Sequence, residues 1–521
     1  MISLVSAVAL QVNEPNFLIS QEVKKQTTPI VNSYAKKSVT APLNTYQSYT
    51  LLKPLSFKGY KQIIKLPEQN TTDYKNFNEV IAEYEKPMKN VIKEMNLRKD
   101  KPGQFLKWVD LPKNQLAKNE NGISHLDEIY TQAESLLSKK NEDGSVRPLV
   151  VLGIGGSRHT AEFLLNLNGE GNTGKVLFYS DIDNGSYNNF IRKSGGDVTK
   201  MNYLVASKSG TTFETADGFA RFEKALINAY MNKGLSEKEA IARTQEHFAL
   251  CTDAKATSKN LRGKIGSKNG EDNNYTKELY IHDDVGGRFS MFDDASLFTL
   301  AYAGINKDST TKILESAANT SKRMLNSENI KDNTAAKAAI YNVFSRENGF
   351  KTIQHQYFGD IFEGGGENWS KQLYLESLKD FDYMVGTAPQ SMHYATEGHF
   401  NPENRTSYNT ILTIKGQNGK NNYATYTEAI AKTYNETTPL QLEILEVVGD
   451  GERLKPETIG EYIQSKHFET AYMGMLRREV EFEGSIEDKN LDKPINEVIQ
   501  PSVETYKNKF KEGEYQLKVG E

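Results

Sequence analysis

The sequence predicts an α/β protein of two α-β-α sandwich lobes, each built on a central, mainly parallel sheet, and three observations carry that prediction. Short apolar runs alternate with amphipathic helical stretches, the pattern that covers both faces of a parallel sheet. This alternation occurs twice along the 521 residues. Most of the apolar runs end in a polar or glycine-rich turn, which is where open parallel sheets bind their ligands.

Residues 1–50 read as a loosely ordered arm. Its first ten residues, MISLVSAVAL, are apolar, but no Lys or Arg precedes them and the chain turns polar at Gln11. That pattern argues against a signal peptide and is too short for a membrane span. From Gln11 to about Tyr49 the chain is rich in Asn, Gln, Thr and Ser, with little helical periodicity. Residues 51–145 are expected to be a mainly helical segment packing on the second lobe. The first lobe, residues 146–320, has strand-like runs at Pro148–Leu152, Lys175–Tyr179, Tyr203–Ala206, His247–Cys251 and Glu278–Ile281. Helical patterns such as Thr160–Leu167 and Thr215–Tyr230 stand between them. The second lobe, residues 321–521, has a helical stretch near Ala335–Glu347 and strand-like runs at Tyr383–Gly386, Thr410–Ile414 and Leu440–Val448. Helices are expected at Trp369–Asp380, Glu428–Tyr434 and Pro456–Glu481. A C-terminal helix starts with Pro501 at its first position and sets Val503, Lys507 and Phe510 on one face.

Composition excludes several classes of function. The chain is 37% hydrophobic and 25% charged with a net charge of -4, and its Lys and Arg are scattered, so nucleic acid is not an expected partner. A single cysteine, Cys251, rules out an intramolecular disulfide and suits a reducing, cytoplasmic compartment.

Two loops carry chemistry. Val150 to Ser157, VVLGIGGS, is a buried strand entering a glycine-rich turn, where the backbone can approach a ligand closely. As a dinucleotide fingerprint it lacks the third glycine, since Arg158 and His159 stand near that place, and a tight turn with no ligand remains an alternative. The second loop, Ser207-Lys208-Ser209-Gly210-Thr211-Thr212-Phe213-Glu214-Thr215, sets several hydroxyls and free backbone N–H groups at a helix N-terminus. Helix capping needs one hydroxyl, so this density points to a phosphate dianion. No Gly-Lys-Ser/Thr closes a glycine-rich run, which excludes a nucleotide P-loop. Elsewhere Gln372 and Glu376 share one helix face, and Arg288 follows two glycines after a strand. A solvated helix surface and an ordinary surface arginine are the plainer readings of those last two. The clusters His393, Glu397, His399 and His282, Asp283, Asp284 invite a metal, but the first lacks the spacing of a known zinc signature, and the second reads as a polar strand end leading to the Gly-Gly turn. No metal is expected.

GIGGS followed about fifty positions later by SKSGTT resembles the sugar isomerase (SIS) fold, which includes both isomerases and non-catalytic sugar-phosphate sensors. Three further segments resemble the glucose-6-phosphate isomerase family: Val285 to Ser290 (VGGRFS), Lys371 to Ser377 (KQLYLES) and Gln500 to Lys507 (QPSVETYK). The resemblance runs from about Leu149 to Lys507. It implies two SIS-type lobes and an aldose–ketose isomerase acting on glucose 6-phosphate and fructose 6-phosphate without a cofactor. A regulator that only binds sugar phosphate, or an isomerase also accepting mannose 6-phosphate, are the alternatives. In that family's terms Ser207, Lys208, Ser209, Thr212 and Thr215 hold the phosphate, while Gly156 and Ser157 contact the sugar. Gln372 and Gln500 bind the sugar, Glu376 moves the proton and Arg288 stabilises the enediolate. Lys507 assists ring opening. The family's histidine for that step comes across a homodimer interface; here Ser391 stands near its place, and His393, two residues on, is the candidate.

Overall fold

A computed structural model describes residues 55–57, 59–66, 76–171, 173–210, 212–253, 275–379, 381–388, 407–415, 427, 429, 438–446, 453–482, 484 and 486–501. Ahead of the expected strands the chain forms an antiparallel pair, β1 (Leu55–Phe57) and β2 (Tyr60–Lys65), which no apolar run in the sequence announces. In β2 burial alternates residue by residue, as suits a strand with one face on the core.

The first sheet comprises β3 (Leu149–Leu152), β4 (Val176–Tyr179), β5 (Asn202–Ala206), β6 (Phe248–Thr252) and β7 (Thr276–Tyr280). Their order is β4-β3-β5-β6-β7, with every neighbouring pair parallel. β3, β5 and β6 are buried at every residue, which is why they read as continuous apolar runs rather than alternating ones. The helices Gly156–Leu167 and Phe213–Asn232 follow β3 and β5 directly, so both loops singled out in the sequence lie at C-terminal strand ends.

The second sheet adds β8 (Thr352–Phe358), β9 (Asp382–Ala388), β10 (Ser407–Lys415) and β11 (Leu440–Glu446) in the order β1-β2-β11-β10-β8-β9. β11, β10, β8 and β9 run parallel, and β2 joins β11 antiparallel. Strand β8 is inside this sheet yet has no strand-like signature, because its middle carries Gln354, His355 and Gln356. All three are buried, and the His355 ring bonds Tyr383 Oη across the sheet at 3.0 Å. The helical stretch expected at Glu428–Tyr434 lies outside the described residues apart from Ala429.

Helix Pro456–Val480 is buried along most of its length and packs on Lys307–Met324 and Thr334–Glu347. Helix Gly365–Ser377 starts earlier and stops sooner than its sequence pattern, with Leu378 as its C-cap. It lies against Gly156–Leu167 at a close approach, since a Cβ on Gly365 would stand 2.6 Å from the Phe163 backbone nitrogen. That contact brings the glycine-rich turn of the first sheet beside the helix that carries Glu376.

Candidate functional site

The ends of β3, β5 and β6 open into a cavity of about 730 Å³. Ligand sites beyond the carboxyl ends of parallel strands are the rule for open sheets. Its walls include Gly156 and Ser157 from the first loop, Ser207, Lys208, Ser209, Thr212 and Thr215 from the second, and Gln372, Glu376 and Gln500 from the second lobe.

The glycine-rich turn is shaped by two contacts. Gly155 has φ +54°, and a Cβ there would meet Gln372 Nε2 at 2.9 Å. Only glycine meets both demands without strain. Gly156 backs onto Gly287, the second glycine before Arg288, so the loops after β3 and β7 touch through bare backbone.

In the hydroxyl loop, helix Phe213–Asn232 starts with Thr212 at its N-cap, but the Thr212 side chain makes no capping bond. The capping alternative is therefore not how that hydroxyl is used. Ser207 Oγ instead accepts from the Gly210 N–H at 3.1 Å and donates to Thr212 Oγ1 at 3.3 Å. Thr215 Oγ1 is buried and has no hydrogen-bond partner among the described residues. Lys208 donates to the Val285 carbonyl at 3.2 Å, and burial pushes its ammonium below its ordinary pKa despite nearby carboxylates. A helix N-terminus ringed by hydroxyls and a half-buried ammonium is suited to a phosphate.

Across the cavity Glu376 is in the last turn of its helix, where the dipole disfavours an anion. Three groups offset this. Arg288 Nη1 donates to Glu376 Oε2 at 3.1 Å, Gln500 Nε2 donates to the same oxygen, and Gln372 Nε2 donates to Oε1 at 3.2 Å. With 27% of its side chain exposed and three partners, Glu376 is not the solvated surface carboxylate that spacing alone suggests. Arg288 is not a surface arginine either: it is fully buried. Its Nε donates to Ser377 Oγ at 2.7 Å and its Nη2 to the Glu497 carbonyl. Burial pushes its pKa down to about 10, against the pull of Glu376, so it stays cationic at neutral pH.

The residues Gly156, Ser157, Ser207, Lys208, Ser209, Thr212, Thr215, Gln372, Glu376 and Gln500 thus line one cavity, with Arg288 directly behind Glu376. His393 and Lys507 lie outside the described residues, as do His399 and Glu397. Three contributors were not singled out in the sequence. Ser377 and the Glu497 carbonyl hold the guanidinium, and Phe105 overhangs the cavity with φ 55°, its ring 5.6 Å from Lys208 Nζ. Phe105 is held there because Gly103 N–H donates to Asp284 Oδ2 at 2.8 Å and Leu106 bridges Val285. A bulky residue at positive φ costs energy and is one of the local marks of a functional site.

Residues 106–357 match the family described as phosphoglucose isomerase. A glucose-6-phosphate isomerase from Staphylococcus haemolyticus (strain JCSC1435) is 30% identical over 308 residues, 57% of this chain and 59% of that protein. One from Fusobacterium nucleatum is 31% identical over 310 residues, 57% of this chain and 59% of that protein. The matched stretch is thus about three fifths of the length of these curated relatives. Among solved structures, a glucose-6-phosphate isomerase from Chlamydia trachomatis superposes with a TM-score of 0.62 at 18% identity, covering 88% of this chain and 89% of that one. A hypothetical protein from Thermus thermophilus superposes at 0.65 with 19% identity, covering 87% of this chain and all of that one. These two likenesses establish a shared fold. Gln372, Glu376 and Gln500 lie beyond the segment that matches the family.

Proposed function

We infer, from a chain whose residues 106–357 match the phosphoglucose isomerase family, that the protein interconverts glucose 6-phosphate and fructose 6-phosphate. One observation carries this reading: Glu376, paired with the buried Arg288 behind it, borders the same cavity as the hydroxyl-lined turn. Moving a proton between C2 and C1 needs a placed base and a fixed positive group for the enediolate oxygen. Glu376 is the base and Arg288 the cation.

Glu376 Oε2 is held by both Arg288 and Gln500, whereas Oε1 has the single 3.2 Å contact from Gln372. Oε1 is therefore the oxygen assigned to the proton. The C2–H electrons become the C1–C2 double bond of the enediolate as O1 takes up negative charge, which the buried Arg288 guanidinium offsets from behind Glu376. The carboxyl then returns the proton to C1, and the hydroxyl proton of O2 passes to O1. Ser207, Lys208, Ser209, Thr212 and Thr215 anchor the phosphate, and Gly156, Ser157, Gln372 and Gln500 orient the sugar. Binding energy from the phosphate end is what fixes the reacting carbons against Oε1.

His393 and Lys507 keep the ring-opening roles that the family resemblance implies, with His393 supplied across a homodimer interface. The buried single cysteine accords with a cytoplasmic place in glycolysis and gluconeogenesis. Among the described residues no helix is long and apolar enough to cross a membrane.

The test is conversion of fructose 6-phosphate to glucose 6-phosphate, without added metal, by the wild type and by Glu376→Gln. The wild type is expected to turn over, and the variant to bind substrate and lose nearly all turnover. Equal rates would remove Glu376 as the base. Binding without turnover in the wild type would leave a sugar-phosphate-binding regulator, and assay with mannose 6-phosphate sets the substrate scope.

A further inference from the structure

Two histidines from distant parts of the chain converge on one carboxylate. His125 opens the helix His125–Leu137, His282 follows β7, and Asp294 opens the helix Asp294–Ala303. One ligand atom from each lies within 4.8 Å of the others. We propose that His125, His282 and Asp294 form a binding site for a divalent transition-metal ion of the zinc class.

The chemistry of the donors supports a metal. His125 Nδ1 is 2.9 Å from Glu128 Oε2, and its Nε2 is 2.9 Å from Asp294 Oδ2. His282 Nδ1 is 2.6 Å from Asp293 Oδ1, which leaves its Nε2 for a ligand. Each imidazole thus has Nδ1 on a carboxylate, the arrangement that fixes the tautomer and raises the basicity of a metal-binding Nε2. Two imidazoles and one carboxylate complete three positions of a tetrahedral zinc site and leave the fourth for water. In such a site, metal-to-ligand distances of about 2.0–2.2 Å put the ligand atoms somewhat over 3 Å apart, so only small side-chain rotations are needed. Charge points the same way. Asp293 and Asp294 are both buried, and with Glu128 they outnumber the two imidazoles.

The site has a mechanical consequence. His282 and Asp294 stand at the two ends of the segment that contains Gly286, Gly287 and Arg288, and His125 belongs to a helix packed on Asp294–Ala303. Asp293 also borders a small cavity of about 60 Å³ that Ser157, Lys208 and Gly287 share. A bound ion would staple both ends of the Arg288 segment to the helix His125–Leu137.

The experiment uses the full-length protein, freed of metal by a chelator, and titrates Co²⁺ and then Zn²⁺. The expected result is visible d–d absorption of four-coordinate Co²⁺ at one equivalent, displaced by Zn²⁺, with a rise in Tm of about 5 °C at saturating Zn²⁺. His125→Ala and His282→Ala, made separately, should each weaken binding about 100-fold or more and abolish the Tm shift. His282 is the safer variant for folding because its ring is 32% exposed, whereas Asp294 also accepts from the Tyr280 N–H at 2.7 Å. If the imidazoles serve only as hydrogen-bonded cations between carboxylates, Co²⁺ will give no tetrahedral bands and Zn²⁺ no Tm shift. Either of those results, or bands that persist unchanged in either histidine variant, overturns the assignment.

Discussion

Gly156 and Gly287 stand back to back so closely that a Cβ on Gly156 would lie 1.9 Å from the Gly287 carbonyl oxygen. One glycine follows β3 and the other precedes Arg288, so this contact sets how the sugar-side loop meets the guanidinium. The neighbouring backbone offers no flexible side chain that could give way.

Gly156→Ala is therefore expected to destabilise the fold by about 1–3 kcal/mol and to cut turnover sharply, because it must push apart the loops after β3 and β7. Gly286→Ala is the control, since the nearest atoms to its added methyl would be 3.6 Å away. Denaturant midpoints and kcat/KM for both proteins check this. Equal behaviour of the two would show that the close approach is not a constraint.

Arg288→Lys removes a planar fork that serves three acceptors and replaces it with a single point charge. The Ser377 hydroxyl and the Glu497 carbonyl lose a buried donor, and Glu376 loses its fixed partner. We expect a fall in stability of about 1–3 kcal/mol and a drop in kcat with little change in KM. Ser377→Ala, which removes one acceptor alone, should cost less than half as much stability. A normal kcat in Arg288→Lys would detach the guanidinium from the chemistry.

Thr215→Val separates binding from folding. The Thr215 hydroxyl is buried without a partner among the described residues, so its loss should leave stability unchanged or raise it by up to about 1 kcal/mol. If that hydroxyl waits for a phosphate, KM for fructose 6-phosphate should rise about tenfold, equivalent to one lost hydrogen bond. A stability loss with an unchanged KM would assign Thr215 to the scaffold.

Acid should weaken the first lobe through His247. Burial pushes its imidazole down to about 3 from the ordinary 6.5, and it takes a 2.6 Å bond with Tyr230 Oη and a 2.7 Å bond to the Met201 carbonyl. Below 6.5 the unfolded chain binds a proton that the folded one refuses. The stability contributed is thus whole above pH 6.5 and is lost progressively toward pH 3. His467, also pushed down to about 3 by burial, acts in the same direction. Urea midpoints measured from about pH 7 to about pH 4 should fall in the wild type, and less steeply in His247→Gln. Parallel slopes would contradict a neutral, buried His247.

Much of this protein is written locally in its chain. The apolar runs of β3, β5 and β6, the glycines that turn after β3 and the hydroxyls ahead of helix Phe213–Asn232 are legible because each depends on residues a few positions apart. Tertiary structure decided the rest. It buried Arg288 behind Glu376, 88 residues away, and it turned an unpromising Gln354-His355-Gln356 run into an inner strand. It hung Phe105 over the cavity and gathered His125, His282 and Asp294 around one point. Such contacts leave no pattern in sequence because the partners are distant along the chain. Burial, not propensity, sets the energy of each charge and polar group.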